Sequence, residues 1–276
     1  MSRVWLNGRL VPAEKATVSV VDRGFLLGDA LFETMRAYGG RVFRLAEHLD
    51  RLARGARRIG LPLPDGLADA VAKTLKGNGL VDAAVRLTVT RGPGTGLTPP
   101  EDPQPTVVIA ARPPSKPPDA VRAAWARGRV NEHSTTAGLK RPAYLDAVVE
   151  MAQARAAGYD DVLFLDTAAH LAEGAYSNVF VLARGTLRTP PPTCGILPGI
   201  TRAAVLEIAA EQGRATAEAS LDPPVLDEAE EAFLTSSLRE IVPLVSVGGR
   251  PIGRGEPGPV TRGIQAAYAA LTRAGR

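Results

Sequence analysis

The chain has 276 residues, 45% hydrophobic and 22% charged, with a formal net charge of +4. That is globular composition, long enough for two domains, and the small charge and 5% aromatic content exclude the basic, aromatic-laced stripe expected of a nucleic-acid binder. Cys194 is the only cysteine, which excludes an intramolecular disulfide; no apolar run reads as a signal or approaches a membrane span, so a soluble cytoplasmic protein is expected, with no nucleic-acid or membrane partner and no metal site.

Taken in order, Val4-Trp5-Leu6 and Leu10-Val11 flank Asn7-Gly8, a strong hairpin signal. A second hairpin follows, with Leu31 to Tyr38 going out, Gly39-Gly40 turning and Arg41 to Leu45 returning. On its first arm Phe32, Thr34 and Arg36 share one face, and Glu33 and Met35 the other. An arginine beside Phe32 suggests a polar pocket, or else an edge strand with Arg36 in solvent. Leu45, Leu49, Leu52, Ala56 and Ile59 recur at helical spacing, which predicts an amphipathic helix over 46–59. Arg51 flanks its apolar stripe and could reach inward to carry an anion.

Pro62 and Pro64 end that segment; a helix over 67–76 and a strand over 84–91 follow. The glycine-rich Arg91-Gly92-Pro93-Gly94-Thr95-Gly96 lacks the Lys-Ser/Thr ending of a nucleotide loop and runs into Pro99-Pro100, so it is not read as a phosphate cradle. Thr106 to Ala111 is a buried-type strand. Arg112-Pro113-Pro114-Ser115-Lys116-Pro117-Pro118-Asp119 is a stiff connector. It divides a smaller N-terminal α/β domain over 1–112 from a larger C-terminal domain over 120–276, with 113–119 as the linker.

Beyond the linker, a strand over 120–130 leads to Thr135-Thr136-Ala137-Gly138-Leu139-Lys140. Lys140 has no acid nearby in sequence and stands between Leu139 and a proline turn. Partial desolvation there would make its amine a better nucleophile, whereas a snorkelling surface lysine needs no such role. A helix over 144–157 ends at Gly158, and a short strand over 161–165 follows. Glu173 sits among small and apolar residues, so it is either a buried carboxylate needing a partner or a solvated turn residue. Gly195-Ile196-Leu197-Pro198-Gly199-Ile200-Thr201-Arg202 enters a helix whose free N–H groups could bind an anion or simply be capped. Leu234-Thr235-Ser236-Ser237 is a hydroxyl cluster, a second anion cup or a polar turn. A hairpin around Gly248-Gly249 and an amphipathic helix over 258–273 close the chain.

A lysine, an isolated carboxylate, an inward arginine and two anion cups are the parts that pyridoxal 5′-phosphate needs: an amine for its aldehyde, a carboxylate for its ring nitrogen, donors for its phosphate. The sequence resembles the fold-type IV pyridoxal-phosphate enzymes, or class IV aminotransferases, over nearly its whole length. The motifs are Val20-Val21-Asp22-Arg23-Gly24, Gly28-Asp29-Ala30-Leu31-Phe32-Glu33-Thr34, Glu47-His48-Leu49-Asp50-Arg51-Leu52, Gly138-Leu139-Lys140, Glu173-Gly174-Ala175-Tyr176-Ser177-Asn178-Val179-Phe180 and Leu197-Pro198-Gly199-Ile200-Thr201-Arg202. The resemblance implies a two-domain α/β (α+β) fold with the cofactor in the interdomain cleft, and a homodimer. It implies that Lys140 is the Schiff-base lysine and proton shuttle and that Glu173 pairs with the pyridine nitrogen. Arg51, Ile200, Thr201, Ser237 and Ser236 would hold the phosphate. Tyr144 would meet the phenolic oxygen, although the lysine-to-tyrosine spacing is about one residue shorter than in branched-chain enzymes.

The member is less marked. Phe32-Glu33-Thr34 is similar to the D-amino-acid and lyase branches, where branched-chain enzymes have glycine after the glutamate; residues 195–202 are similar to the branched-chain form. The arginine and histidine that D-amino-acid enzymes place in the glycine-rich loop are missing between Gly92 and Gln104. The substrate carboxylate is therefore assigned to Arg36 first and Arg91 second, beside Phe32 and Thr34. The resemblance implies transamination between a D-amino acid or an R-amine and a 2-oxo acid. The alternative is 4-amino-4-deoxychorismate lyase, a β-elimination giving pyruvate and 4-aminobenzoate; a branched-chain L-amino-acid aminotransferase ranks below these. Nothing around Lys140 separates transfer from elimination.

Overall fold

The computed structural model describes Ser2–Ala274. It divides into two compact units: Met1–Ser115 with Leu139–Ala143 and Thr272–Arg276, and Lys116–Gly138 with Tyr144–Leu271.

The first unit is an antiparallel sheet with two helices on one face. Its strands are β1 (Arg3–Leu6), β2 (Arg9–Pro12), β3 (Ala30–Tyr38), β4 (Arg41–Val42), β5 (Ala83–Thr90) and β6 (Thr106–Arg112), in the order β2-β1-β6-β5-β3-β4. Asn7 and Gly8 both take positive φ, as a two-residue hairpin loop requires, and Leu6 pairs with Arg9. The return arm of the second hairpin is shorter than expected, ending at Val42 where the chain turns into a helix. The short helix α1 spans Arg23–Leu27, α2 spans Leu45–Ile59 and α3 spans Leu67–Gly77. Leu31, Met35, Val85, Leu87, Val89, Val107 and Ile109 present one sheet face to Leu52, Ala56, Val71 and Leu75 of α2 and α3. The opposite face carries Phe32, Thr34 and Arg36, with Thr34 paired to Arg86 and Phe32 to Thr88.

Asp22 fixes the approach to β3. It is fully buried, caps α1 through the N–H of Gly24 and accepts the hydroxyls of Thr90 and Thr106 at 2.8 and 2.7 Å. Arg23 binds Asp29 and the carbonyls of Gly96, Leu97 and Thr98, which organises the glycine-rich loop. Gly92 is required there: its φ is +86°, and a Cβ would strike the Gln104 carbonyl.

The second unit is built on β7 (Val121–Val130), β8 (Asp161–Asp166), β9 (Leu171–Gly174), β10 (Asn178–Ala183), β11 (Thr186–Thr189), β12 (Thr216–Glu218), β13 (Glu231–Ser236), β14 (Glu240–Val247) and β15 (Arg250–Pro251). The path runs β12-β11-β10-β13-β14-β7-β8-β9, and β9 also pairs with β10, so six of these strands close on themselves. Val121, Leu163, Val179, Val181, Leu234, Val242 and Leu244 fill the core. Helix α4 (Leu145–Ala156) packs on β7 and β8, and α5 (Ile200–Glu211) on β13. The final helix α6 (Pro259–Arg273) starts on the Glu231 carboxylate, which accepts the N–H groups of Val260 and Thr261. No described helix is long and apolar enough to cross a membrane.

Lys140 does not belong with the larger C-terminal part; the segment Leu139–Ala143 joins the first unit. Leu139 packs against the first unit's core, where a Cβ on Gly55 of α2 would stand 3.4 Å from it, and the Lys140 carbonyl accepts the Phe32 N–H at 2.9 Å. The long segment of the first unit ends at Ser115.

Candidate active site

The candidate residues fall into two sets, one in each unit. In the first unit, the alternation of β3 sends Phe32 and Glu33 to opposite faces. Glu33 enters the helix-covered side with no exposure, and α2 supplies its partners. Arg51 donates from Nε to Oε1 at 2.8 Å and from Nη2 to Oε2 at 2.6 Å, and His48 Nδ1 lies 2.7 Å from Oε2. His48 and Arg51 are three apart on α2, so both face one spot. Burial alone pushes the Glu33 carboxyl up, but the hydrogen bonds from Arg51 and His48 and the charge of Arg51 outweigh it and hold it at about 2. Burial also pushes His48 below its ordinary value, which keeps the imidazole neutral and donating.

On the other face, the Lys140 amine lies 4.7 Å from the Phe32 ring centroid, and the Arg86 guanidinium 3.7 Å from it. Arg36 stands 5.1 Å from the Tyr38 ring, and its Nε and Nη1 are buried without a partner among the described residues. Thr34 is half-buried between these two arginines. Arg86 is the residue that sequence reasoning missed. The alternation of Ala84, Arg86 and Thr88 against Val85, Leu87 and Val89 marked its face, but only the pairing with Thr34 puts it beside Phe32. Arg91 has a different place. It is 4% exposed and gives its three nitrogens to Asp29 and to the carbonyls of Gly60 and Ile59, so it caps the end of α2 and has no part beside Phe32.

In the second unit, Glu173 is half-buried on β9 and its Oε2 accepts the Leu197 N–H at 3.1 Å. Asn178 donates to the Leu197 carbonyl at 2.8 Å, so the β9–β10 turn and the entry to α5 are laced together. Gly199 is the N-cap of α5, and no side chain caps this helix. A Cβ at Gly199 would run into the Asn178 carboxamide. The first-turn residues Ile200 and Thr201 are buried. Ser236 and Ser237 are half-buried at the end of β13, and Tyr144 immediately precedes α4. Ser177 Oγ and Thr235 Oγ1 are buried with no partner among the described residues, polar atoms that a bound group would satisfy. Among the described residues no cluster of three His, Cys, Asp or Glu could hold a metal.

These donors fit pyridoxal phosphate: an amine beside an aromatic ring, a half-buried carboxylate, an uncapped helix start and orphaned hydroxyls. The family model for amino-transferase class IV matches residues 30–247. The branched-chain-amino-acid aminotransferase of Salmonella typhimurium is 35% identical over 285 residues, covering 97% of this chain and 92% of that one. The D-alanine aminotransferase of Bacillus licheniformis is 31% identical over 286 residues, covering 96% and 95%. The crystal structure of the Escherichia coli branched-chain amino acid aminotransferase matches with a TM-score of 0.93 and 32% identity, covering 98% and 94%. With these motifs, this fold and this match over most of its length, the chain belongs to the class IV aminotransferases, enzymes that work with pyridoxal phosphate.

Proposed function

We propose that this class IV aminotransferase moves an amino group between branched-chain aliphatic L-amino acids and a 2-oxo acid. The observation that carries this reading is the full-length likeness to branched-chain aminotransferases, 35% identical in one relative and 0.93 in TM-score for a solved structure. It reverses the order drawn from Phe32-Glu33-Thr34, which put D-amino acids and R-amines first. The D-amino-acid reading stays second, supported by Thr34 and the Bacillus licheniformis relative.

Pyridoxal phosphate, when bound, supplies an aldehyde for the amine and a ring that accepts the electron pair left at the substrate α-carbon. Lys140 holds that aldehyde and then moves the proton at the α-carbon. Glu173 holds a proton on the ring nitrogen. The N–H groups of Ile200 and Thr201, the hydroxyls of Thr201, Ser236 and Ser237, and Arg51 hold the phosphate. Arg51 comes to this role already neutralised by Glu33, so it contributes directed donors more than net charge. Tyr144 contacts the phenolic oxygen. Arg36, with two buried unpaired nitrogens, holds the substrate carboxylate beside Thr34 and Phe32, and Arg86 shares that task.

Purified enzyme with pyridoxal phosphate and 2-oxoglutarate should convert L-leucine, L-isoleucine and L-valine at least about 10-fold faster than D-alanine or an R-amine, a margin within reach of pocket discrimination. Faster turnover of the D-amino acid would move the assignment to the second reading. Pyruvate released from aminodeoxychorismate without an amino acceptor would replace both with the lyase.

We also infer a homodimer in a cytoplasmic setting. On α1 and its approach, Val20, Phe25, Leu26 and Leu27 are exposed at 74%, 73%, 48% and 45%, a patch typical of an interface. Phe25→Asp with Leu26→Asp should shift the mass from light scattering from two chains to one; an unchanged dimer would place the interface elsewhere.

A further inference from the structure

The second unit holds a tie that the roles above do not use. Arg239 follows the Ser236–Ser237 turn, and its main-chain N–H donates to Ser236 Oγ at 3.3 Å. Its Nη1 donates to Asp161 Oδ2 at 2.6 Å and to the Tyr176 hydroxyl at 2.6 Å, and its guanidinium carbon lies 5.1 Å from the Tyr176 ring centroid. Asp161 begins β8 and is fully buried, so it needs this cation. Tyr176 belongs to the Gly174–Ser177 turn directly after Glu173, and it is 44% exposed, so core packing does not hold it there. Glu240, the next residue after Arg239, takes a φ of +56°, a left-handed conformation that a side chain adopts only when its surroundings impose it.

Arg239 thus joins three places: its main-chain N–H holds the serine turn, and its guanidinium ties the Glu173 turn to the buried start of β8. We propose that Arg239 is a positioning residue that sets the Ser236–Ser237 turn and the Tyr176 turn together, and so governs how tightly the cofactor is held and how the proton stays on its ring nitrogen. The proposal rests on the cofactor roles given above to Glu173, Ser236 and Ser237. Arg239 itself touches neither cofactor nor substrate. Its side chain acts through Asp161 and Tyr176, while its main-chain N–H fixes Ser236 Oγ beside them.

The test is titration of apoprotein with pyridoxal phosphate, read by the visible absorbance band and its pH dependence, beside thermal unfolding of the apoprotein. Arg239→Ala should raise the dissociation constant by about 10-fold or more, as loss of charge-assisted hydrogen bonds does. Arg239→Lys should restore part of the affinity, and Tyr176→Phe should weaken binding by about 3-fold with little change in apoprotein unfolding. Because Arg239→Ala strands a buried carboxylate, Tyr176→Phe decides the matter if that variant misfolds. Unchanged affinity and an unchanged pH profile in Tyr176→Phe and Arg239→Lys, with only the unfolding temperature lowered, would reduce Arg239 to a structural salt bridge. Glu173→Gln is the control. If it shifts the band's pH profile while the Arg239 variants do not, the positioning claim alone fails; if it too is without effect, the cofactor reading fails with it.

Discussion

Lys140→Ala should lower amino-group transfer by at least about 10⁴-fold, because the role proposed for Lys140 makes it both the amine that would hold the cofactor and the base that would move the α-proton. The loss should come without unfolding. Lys140 is half-buried, and the contacts that place it are made by its neighbours and its backbone. Leu139 is seated on the core under Gly55, and the Lys140 carbonyl is tied to the Phe32 N–H. Substitution by alanine leaves both in place. Two measurements check it. Transfer rates fix the size of the loss. Borohydride reduction followed by peptide mass mapping should find the cofactor fixed at residue 140 in the parent enzyme and nowhere in the variant. Cofactor trapped at another lysine, or transfer within about 10-fold of the parent, would give the chemistry to another residue. Lys140→Arg should fail as badly, because a guanidinium stays protonated and forms no imine at neutral pH.

The placement of Lys140 also shows where sequence reasoning reached its limit. Hydrophobic period and turn chemistry are local, so the Asn7-Gly8 hairpin, α2 and α5 could be read within a residue or two of their bounds. The order of motifs made Lys140 and Glu173 candidates. What escaped was set by pairing between distant segments. Arg91 was the second candidate for the substrate carboxylate, and Arg86 was not singled out at all. Only the fold shows that the carbonyls ending α2 meet Arg91, while strand register brings Arg86 beside Phe32. The return of Leu139–Ala143 to the first unit is of the same kind, since nothing between the linker and Lys140 encodes it. The closure of β9 on β10 depends on a single residue pair, Glu173 with Asn178, within a turn too tight for a strand pattern to appear. Glu33 is the most instructive case. Alternation assigned it to the face of Met35, an apolar face, and its partners His48 and Arg51 lay in plain sight in the next helix.

Glu33→Ala should destabilise the protein by about 3–5 kcal/mol, the cost of leaving a buried cation without its counter-charge. Arg51 is 7% exposed and His48 1%, so water cannot replace the lost carboxylate for either. The pair also imposes a pH dependence whose sign follows from the carboxyl's low value. Glu33 is held at about 2 when folded, against 4.5 as the ordinary value. Its stabilisation is therefore fully present above 4.5 and is lost as the pH falls toward 2, a contribution of roughly 3 kcal/mol. His48 acts in the same direction. Its folded value is lowered, so the unfolded chain takes up its proton first, and stability falls as the pH drops below 6.5. Urea unfolding of the apoprotein between pH 7 and pH 3 should show a steep acid loss in the parent. In Glu33→Ala the portion below 4.5 should be missing and the starting stability lower. A variant within about 1 kcal/mol of the parent at pH 7, or with the same acid slope, would mean that the Glu33–Arg51 pair is solvated in the native protein and holds no charge in place. The same variant should bind pyridoxal phosphate more weakly, since Glu33 fixes the Nε and Nη2 of Arg51 and with them the direction of its remaining donors. Glu33→Gln separates the two effects. It keeps the shape that orients Arg51 and removes the charge, so its loss of stability at pH 7 should exceed its loss of cofactor affinity.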